Sequence, residues 1–234
     1  MPIFTEFQWA AFLYWAVSYG GNIGGDKDYV PLMTNTAFLE KLRSNPEELN
    51  TQEIREQVIL FLNQWKCMVK DDDSTAVEVK KAVIKFKQEA SYLRGATILS
   101  VDSLPATLKN KISSLYNEFD NIPRFGPTAT SKLMHILNPH LFVMWDGEIL
   151  KHYRKENSQI DGTGNGYVAF LSKMSQMGLD ITADFQKYHP EDNPEVFLCN
   201  KLGYTVQKSL AKFIDEYNWI TITKKMPVPP PWWP

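Results

Sequence analysis

The sequence predicts an all-α protein. Apolar residues recur at three- and four-residue spacing along most of the chain, and cap or breaker residues fall between those runs. Only Trp219–Thr223 (WITIT) alternates as a strand would, and it is too short and isolated to define a sheet. The 234 residues, 44% hydrophobic and 22% charged, suffice for one compact domain or for two lobes sharing a cleft.

The elements follow in chain order. The N-terminal segment is apolar from Phe7 to Val17 and reads as a buried helix, with Trp9, Phe12, Tyr14 and Trp15 expected in the core. It lacks a basic leader and is shorter than the roughly 20 apolar residues of a membrane span, so a soluble, cytoplasmic protein without membrane contact is expected. After the cap signal Asn50…Glu53, Ile54, Val58, Phe61, Leu62 and Trp65 share one face. Val79, Val83, Phe86 and Ala90 form a second face. A helix over Pro105–Asp120 buries Leu108, Ile112, Leu115 and Phe119, with Pro105 suited to its first turn.

Another helix, entered through Pro127, carries Ala129, Leu133, Ile136 and Leu137. The Tyr167–Met174 helix is expected to stop at Gly178, and a long helix carries the face from Leu198 to Tyr217. Gly162–Gly166 reads as a flexible loop, since no strand precedes it to make a dinucleotide fingerprint. The tail 226–234 (MPVPPPWWP) is expected in polyproline II form, either packing its own tryptophans or docking a partner.

Composition narrows the chemistry. Two cysteines, Cys67 and Cys199, cannot build a four-cysteine zinc or iron–sulfur site and read as buried thiols. No His/Cys array has ligand spacing, so neither a metal nor another cofactor is expected, and His135 reads as a hydrogen-bonded structural residue. The net charge of −2 argues against a general polyanion coat. Charge is uneven, however: residues 104–155 hold seven basic and four acidic side chains, a local excess of +3.

That stretch carries the chemistry. A tight turn closed by Gly126 joins two helices and leaves N–H groups of the second unpaired, a natural site for a phosphate. Lys109, Arg124 and Lys132 can reinforce it. Eighteen residues beyond Thr128, the apolar run Leu141–Trp145 ends at Asp146, which opens another helix.

Ile122-Pro123-Arg124-Phe125-Gly126-Pro127-Thr128-Ala129 resembles the hairpin of the helix-hairpin-helix DNA glycosylases, usually Leu-Pro-Gly-Val-Gly-x-x-Thr/Val-Ala. The spacing to Asp146 is that of the family's catalytic aspartate, and the Asp-Gly-x-x-x-Lys run is similar to its mismatch-adenine branch. The resemblance covers about fifty residues, within 102–156. It implies a two-lobed helical domain over residues 1–225 that acts as a monomer on double-stranded DNA, flips a base into its cleft and hydrolyses the N-glycosidic bond.

The resemblance also implies the roles. Asp146 stabilises the oxocarbenium-like transition state, or activates water against it. Arg124, Phe125, Gly126, Thr128 and Lys132 anchor DNA, Trp145 lines the base pocket, and Asn22 is a candidate wedge for the vacated gap. Two departures matter. The strand-cleaving members carry a lysine where this chain has Thr128, so a monofunctional enzyme is implied, and Arg124 replaces the first hairpin glycine. A damaged base or a hypermodified base of phage DNA would suit such an enzyme, in repair or in defence. A DNA-binding module without catalysis, or a helical scaffold with a coincidental hairpin, remain the alternatives; Asp146 serves equally as a plain N-cap.

Overall fold

A computed structural model describes residues 3–20 and 25–229, apart from the side chains of residues 19–20 and 89–91. Every regular element among the described residues is helical. α1 (Ile3–Gly20), α2 (Asp26–Thr34) and α3 (Thr36–Ser44) open the chain. α4 (Thr51–Ile54) runs through a π-helical turn, Arg55–Ile59, into α5 (Leu60–Gln64), and α6 (Asp73–Ala90) follows. Asn50 and Glu53 form the expected capping box at the start of α4. No helix among the described residues is long and apolar enough to cross a membrane.

α7 (Ala106–Asp120) begins one residue after Pro105, and α8 (Gly126–Leu137) and α9 (Gly147–Glu156) follow. The buried run Leu141–Trp145 connects α8 to α9. α10 (Gly164–Gln186) packs along α7 and the 3-10 segment Ile98–Ser103. The elements around it converge on an aromatic cluster in which Trp145 meets Tyr116, Tyr167 and Phe170 at centroid distances of 6.0, 5.0 and 4.9 Å. α11 (Pro194–Leu202) and α12 (Leu210–Asn218) finish the body, with α12 against α1.

Four expectations are corrected. The long helix across Leu198–Tyr217 is two helices: Gly203 ends α11 in the left-handed region (φ 69°), and the Ser209 hydroxyl caps α12 by accepting from the Lys212 N–H. Trp219–Thr223 is a π-helical continuation of α12 rather than a strand; it buries Ile220 beside Ala10, Leu13 and Tyr14.

α10 neither waits for Tyr167 nor ends at Gly178. Thr163 caps it at Gly164, where a Cβ would collide with the Ser113 carbonyl of α7. Gly178 lies inside it, because a Cβ there would stand 3.0 Å from Leu99 and 3.4 Å from Ile214. Both glycines serve close helix approach.

The N-terminal aromatics also divide. Tyr14 is buried, Phe12 is 39% exposed, and Trp9 and Trp15 are half-buried against it. α1 turns Phe4, Phe7 and Ala11 inward instead. Asn22 and Pro230–Pro234 lie outside the described residues; of the tail, Met226 and Val228 pack beside Ile220.

Candidate functional site

The turn between α7 and α8 places Arg124 in the left-handed region (φ 65°), two residues before Gly126 (φ 66°). A left-handed residue is where glycine fits without strain, and Arg124 occupies the conformation at a cost of about 1–2 kcal/mol. Its guanidinium side is exposed. No side chain caps α8, so its first-turn N–H groups at Gly126 and Thr128 are not satisfied that way.

Two of the expected DNA contacts are placed elsewhere. Phe125 is 3% exposed, so its ring belongs to the core and cannot reach a duplex. Lys132 does not face outward with the turn: it is 7% exposed, and its ammonium donates to the Trp65 carbonyl at 2.9 Å and meets Cys67 Sγ at 3.5 Å. The outer face of the turn is left to Arg124, Gly126 and the half-buried Thr128. Lys109 is engaged with the Asp102 carbonyl at 3.2 Å.

Asp146 is the N-cap of α9. Its Oδ1 accepts from the N–H groups of Glu148 and Ile149, both at 2.9 Å, and its Oδ2 accepts from the Thr223 hydroxyl at 2.7 Å. Thr223 comes from the π-helical segment, so the C-terminal end of the chain helps to orient this carboxylate. The preceding residue ties it to the turn: Trp145 Nε1 donates to the Pro127 carbonyl at 3.0 Å, and the Trp145 N–H donates to Ser131 Oγ at 3.2 Å.

Asp146 lines a cavity of about 380 Å³, walled by Tyr14, Trp65, Lys132, Asp215 and Trp219 among others. Trp145 is also among its lining residues. It is 1% exposed and packed in the aromatic cluster, so it supports the wall rather than offering a face to an occupant. Trp65 and Trp219, both half-buried, are the better placed aromatics.

Behind Asp215 lies a group of charges that periodicity does not reveal. Lys212 donates to Asp215 Oδ2 at 2.8 Å and lies 3.2 Å from Glu216 Oε1 and 3.3 Å from the Tyr14 hydroxyl. Lys208 pairs with the same Glu216 oxygen at 2.7 Å and with Asp26 at 2.5 Å. All five charged groups are buried. Burial works against the Lys212 ammonium, yet Asp215, Tyr14, Glu216 and Asp26 outweigh it and hold its pKa well above the ordinary range.

Burial pushes the Asp215 carboxyl up against the pull of Lys212 and Lys132, and the Asp146 charge adds to the rise. The two aspartates therefore feel one another at the cavity. Sequence reasoning missed this group: Lys208 precedes α12, Lys212, Asp215 and Glu216 lie within it, and only the fold brings Asp26 and Tyr14 to them.

His135 is structural, as its place beside the core stripe suggests. Its Nδ1–H donates to the Phe142 carbonyl at 2.6 Å, leaving Nε2 to accept from the Tyr29 hydroxyl at 3.0 Å. Burial lowers its pKa to about 3. Both cysteines are free, and burial raises each thiol. Comparison of the chain with family models, with curated proteins and with solved structures gives no match in any of the three.

Proposed function

We propose that the protein is a monofunctional DNA glycosylase that turns a damaged or modified base out of the duplex and hydrolyses its N-glycosidic bond. The observation that carries this reading is Asp146: an oriented carboxylate on the wall of an aromatic cavity, joined through Trp145 to the first turn of α8. In this reading α7, the turn and α8 form a helix-hairpin-helix motif, and the cavity is the cleft between two lobes. A phosphate sits at the uncapped first turn of α8, with Arg124 beside it.

Cleavage of the C1′–N bond builds positive charge on the sugar. Asp146, held by two N–H groups and a hydroxyl, is an acceptor-only carboxylate suited to stabilise that charge or to take a proton from attacking water. Trp65 and Trp219 offer apolar walls to the flipped base, and Asp215 and Lys132 offer an acceptor and a donor to its edge. Thr128 has no amine to form a Schiff base with the sugar, and the Lys132 ammonium is engaged with Trp65 and Cys67.

Abasic-site formation on lesion-bearing duplexes and modified phage genomes tests the reading, with wild type beside Asp146→Asn. Sites made by wild type alone support it. A non-catalytic DNA-binding module is the second reading, favoured by the two N–H bonds that Asp146 Oδ1 accepts at the start of α9, which is what a plain cap would show. Tight, salt-sensitive binding without base release selects it.

A further inference from the structure

Arg43 is a charge that the proposed chemistry leaves unused. It lies near the end of α3, half-buried, and its Nε and Nη2 donate to the Ile136 carbonyl of α8 at 3.0 and 2.6 Å. Those bonds occupy two of the five N–H donors of a guanidinium. Burial pulls its pKa below the ordinary range, and the one group that works the other way is Tyr29, not a carboxylate. A cation taken out of water with no anion beside it is costly.

Arg43 lines a cavity of about 280 Å³. The cavity lies at the C-terminal end of α8, a helix of 12 residues and so about 18 Å long, with the Arg124 turn at its other end. Lys87, Arg94 and His140 also line it, and no Asp or Glu does. Phe86, Leu93 and Leu137, all buried, supply an apolar wall. Glu47 engages Lys87 at 3.0 Å. The exposed Arg94 and His140 side chains have no ion pair or hydrogen bond among the described residues. The C-terminal ends of α3 and α8 attract cations, which accounts for the place of Arg43. It does not account for Arg94 and His140 as well, around a hollow with an apolar wall.

We propose that this cavity binds a small phosphate monoester with an apolar or aromatic body. Arg43 and Arg94 supply two positive charges that no carboxylate offsets, and a monoester carries about −1.5 to −2 at pH 7. Guanidinium forks match phosphate oxygens, while Phe86, Leu93 and Leu137 receive the body. The volume is at the small end of ligand pockets, roughly 300–1,000 Å³, and suits a small molecule rather than a duplex. A DNA phosphate, being a diester, also brings a single charge and no free apolar body. The cavity shares no lining residue with the one that holds Asp146, so its ligand is not the flipped base, and the site stands apart from the glycosylase reading.

Calorimetric titration of the full chain with phenyl phosphate, benzoate and inorganic phosphate tests the site. Wild type is expected to bind phenyl phosphate in the millimolar range or below. Benzoate, with one charge, and inorganic phosphate, with no apolar body, should each bind at least about tenfold more weakly. Arg94→Gln is expected to weaken phenyl phosphate by about tenfold or more, the loss of a charge-assisted contact. Its midpoint of urea unfolding should not move, because the side chain is exposed and unpaired. Arg43→Lys, which keeps the charge and loses the fork, should weaken phenyl phosphate as well. A saturating short duplex should not displace it. Absence of millimolar binding by wild type, or equal binding by Arg94→Gln, overturns the site. Benzoate binding as tightly as phenyl phosphate overturns the assignment of a dianion, and displacement by the duplex gives the cavity to DNA and overturns the small-molecule ligand.

Discussion

Replacing Lys212 by methionine removes the ammonium that joins Asp215, Glu216 and Tyr14 while keeping a long apolar stem in its place. Breaking a buried pair by deleting one partner costs about 3–5 kcal/mol, because the other charge is left unmatched. Two features of the network place this case near the lower end. Glu216 keeps Lys208 at 2.7 Å, and Asp215 lies on the cavity wall, where water can reach it.

The expected loss is about 3 kcal/mol, read as a fall of about 1 M or more in the midpoint of urea unfolding. Adding Asp215→Asn to Lys212→Met removes the stranded carboxylate and should recover about 1–2 kcal/mol, a coupling of the size expected for residues in contact. A loss below 1 kcal/mol for Lys212→Met, or strictly additive single and double variants, would refute the electrostatic account of how Asp215 is held at the cavity.

Arg124→Gly should raise stability by about 0.5–1 kcal/mol in thermal or urea unfolding, since glycine relieves the left-handed residue at some cost in chain entropy. The same change should weaken DNA binding and lower its salt slope by about 1, and a destabilised variant would contradict the assigned backbone strain. His135 stays neutral in the fold down to about pH 3 while the unfolded chain binds a proton near pH 6.5. Its contribution is therefore complete above pH 6.5 and is lost as pH falls toward 3. Between pH 7 and 5 the stability gap between wild type and His135→Gln should narrow by about 2 kcal/mol in urea unfolding, and a constant gap would count against the buried neutral ring. At Asp146, alanine should cost about 1 kcal/mol through the lost cap, whereas asparagine should keep most of it; melting curves separate the two.

Much of this architecture is legible from local signals. The Asn50–Glu53 capping box, the helices on either side of Gly126 and the cap at Asp146 each need only a few neighbouring residues to specify them. The failures are tertiary. Gly178 looks like a helix terminator in one dimension, but α10 passes through it because Leu99 and Ile214 need the space. Trp219–Thr223 has strand-like alternation, yet with no neighbouring strand it continues the helix and buries Ile220 against α1. The apolar face across Leu198–Tyr217 is continuous in spacing, and only Gly203 and Ser209 betray the break.

The site divides in the same way. The place of Asp146 follows from a short segment, whereas Asp215 and Trp219 reach the cavity, and Thr223 reaches Asp146, from far along the chain. Lys132 and Phe125 sit within the motif by sequence but turn inward, because α8 buries most of its circumference and leaves little outer face.

Base release by Asp146 is what sets the proposed glycosylase apart from a DNA-binding module. Wild type and Asp146→Asn, matched for folding, are each incubated with a panel of lesion-bearing duplexes and modified phage genomes, and abasic sites are counted with and without alkali. Wild type alone is expected to form sites on at least one substrate, with strands intact until alkali cuts them. Equal yields from the two proteins, or no base release alongside tight binding, would contradict it.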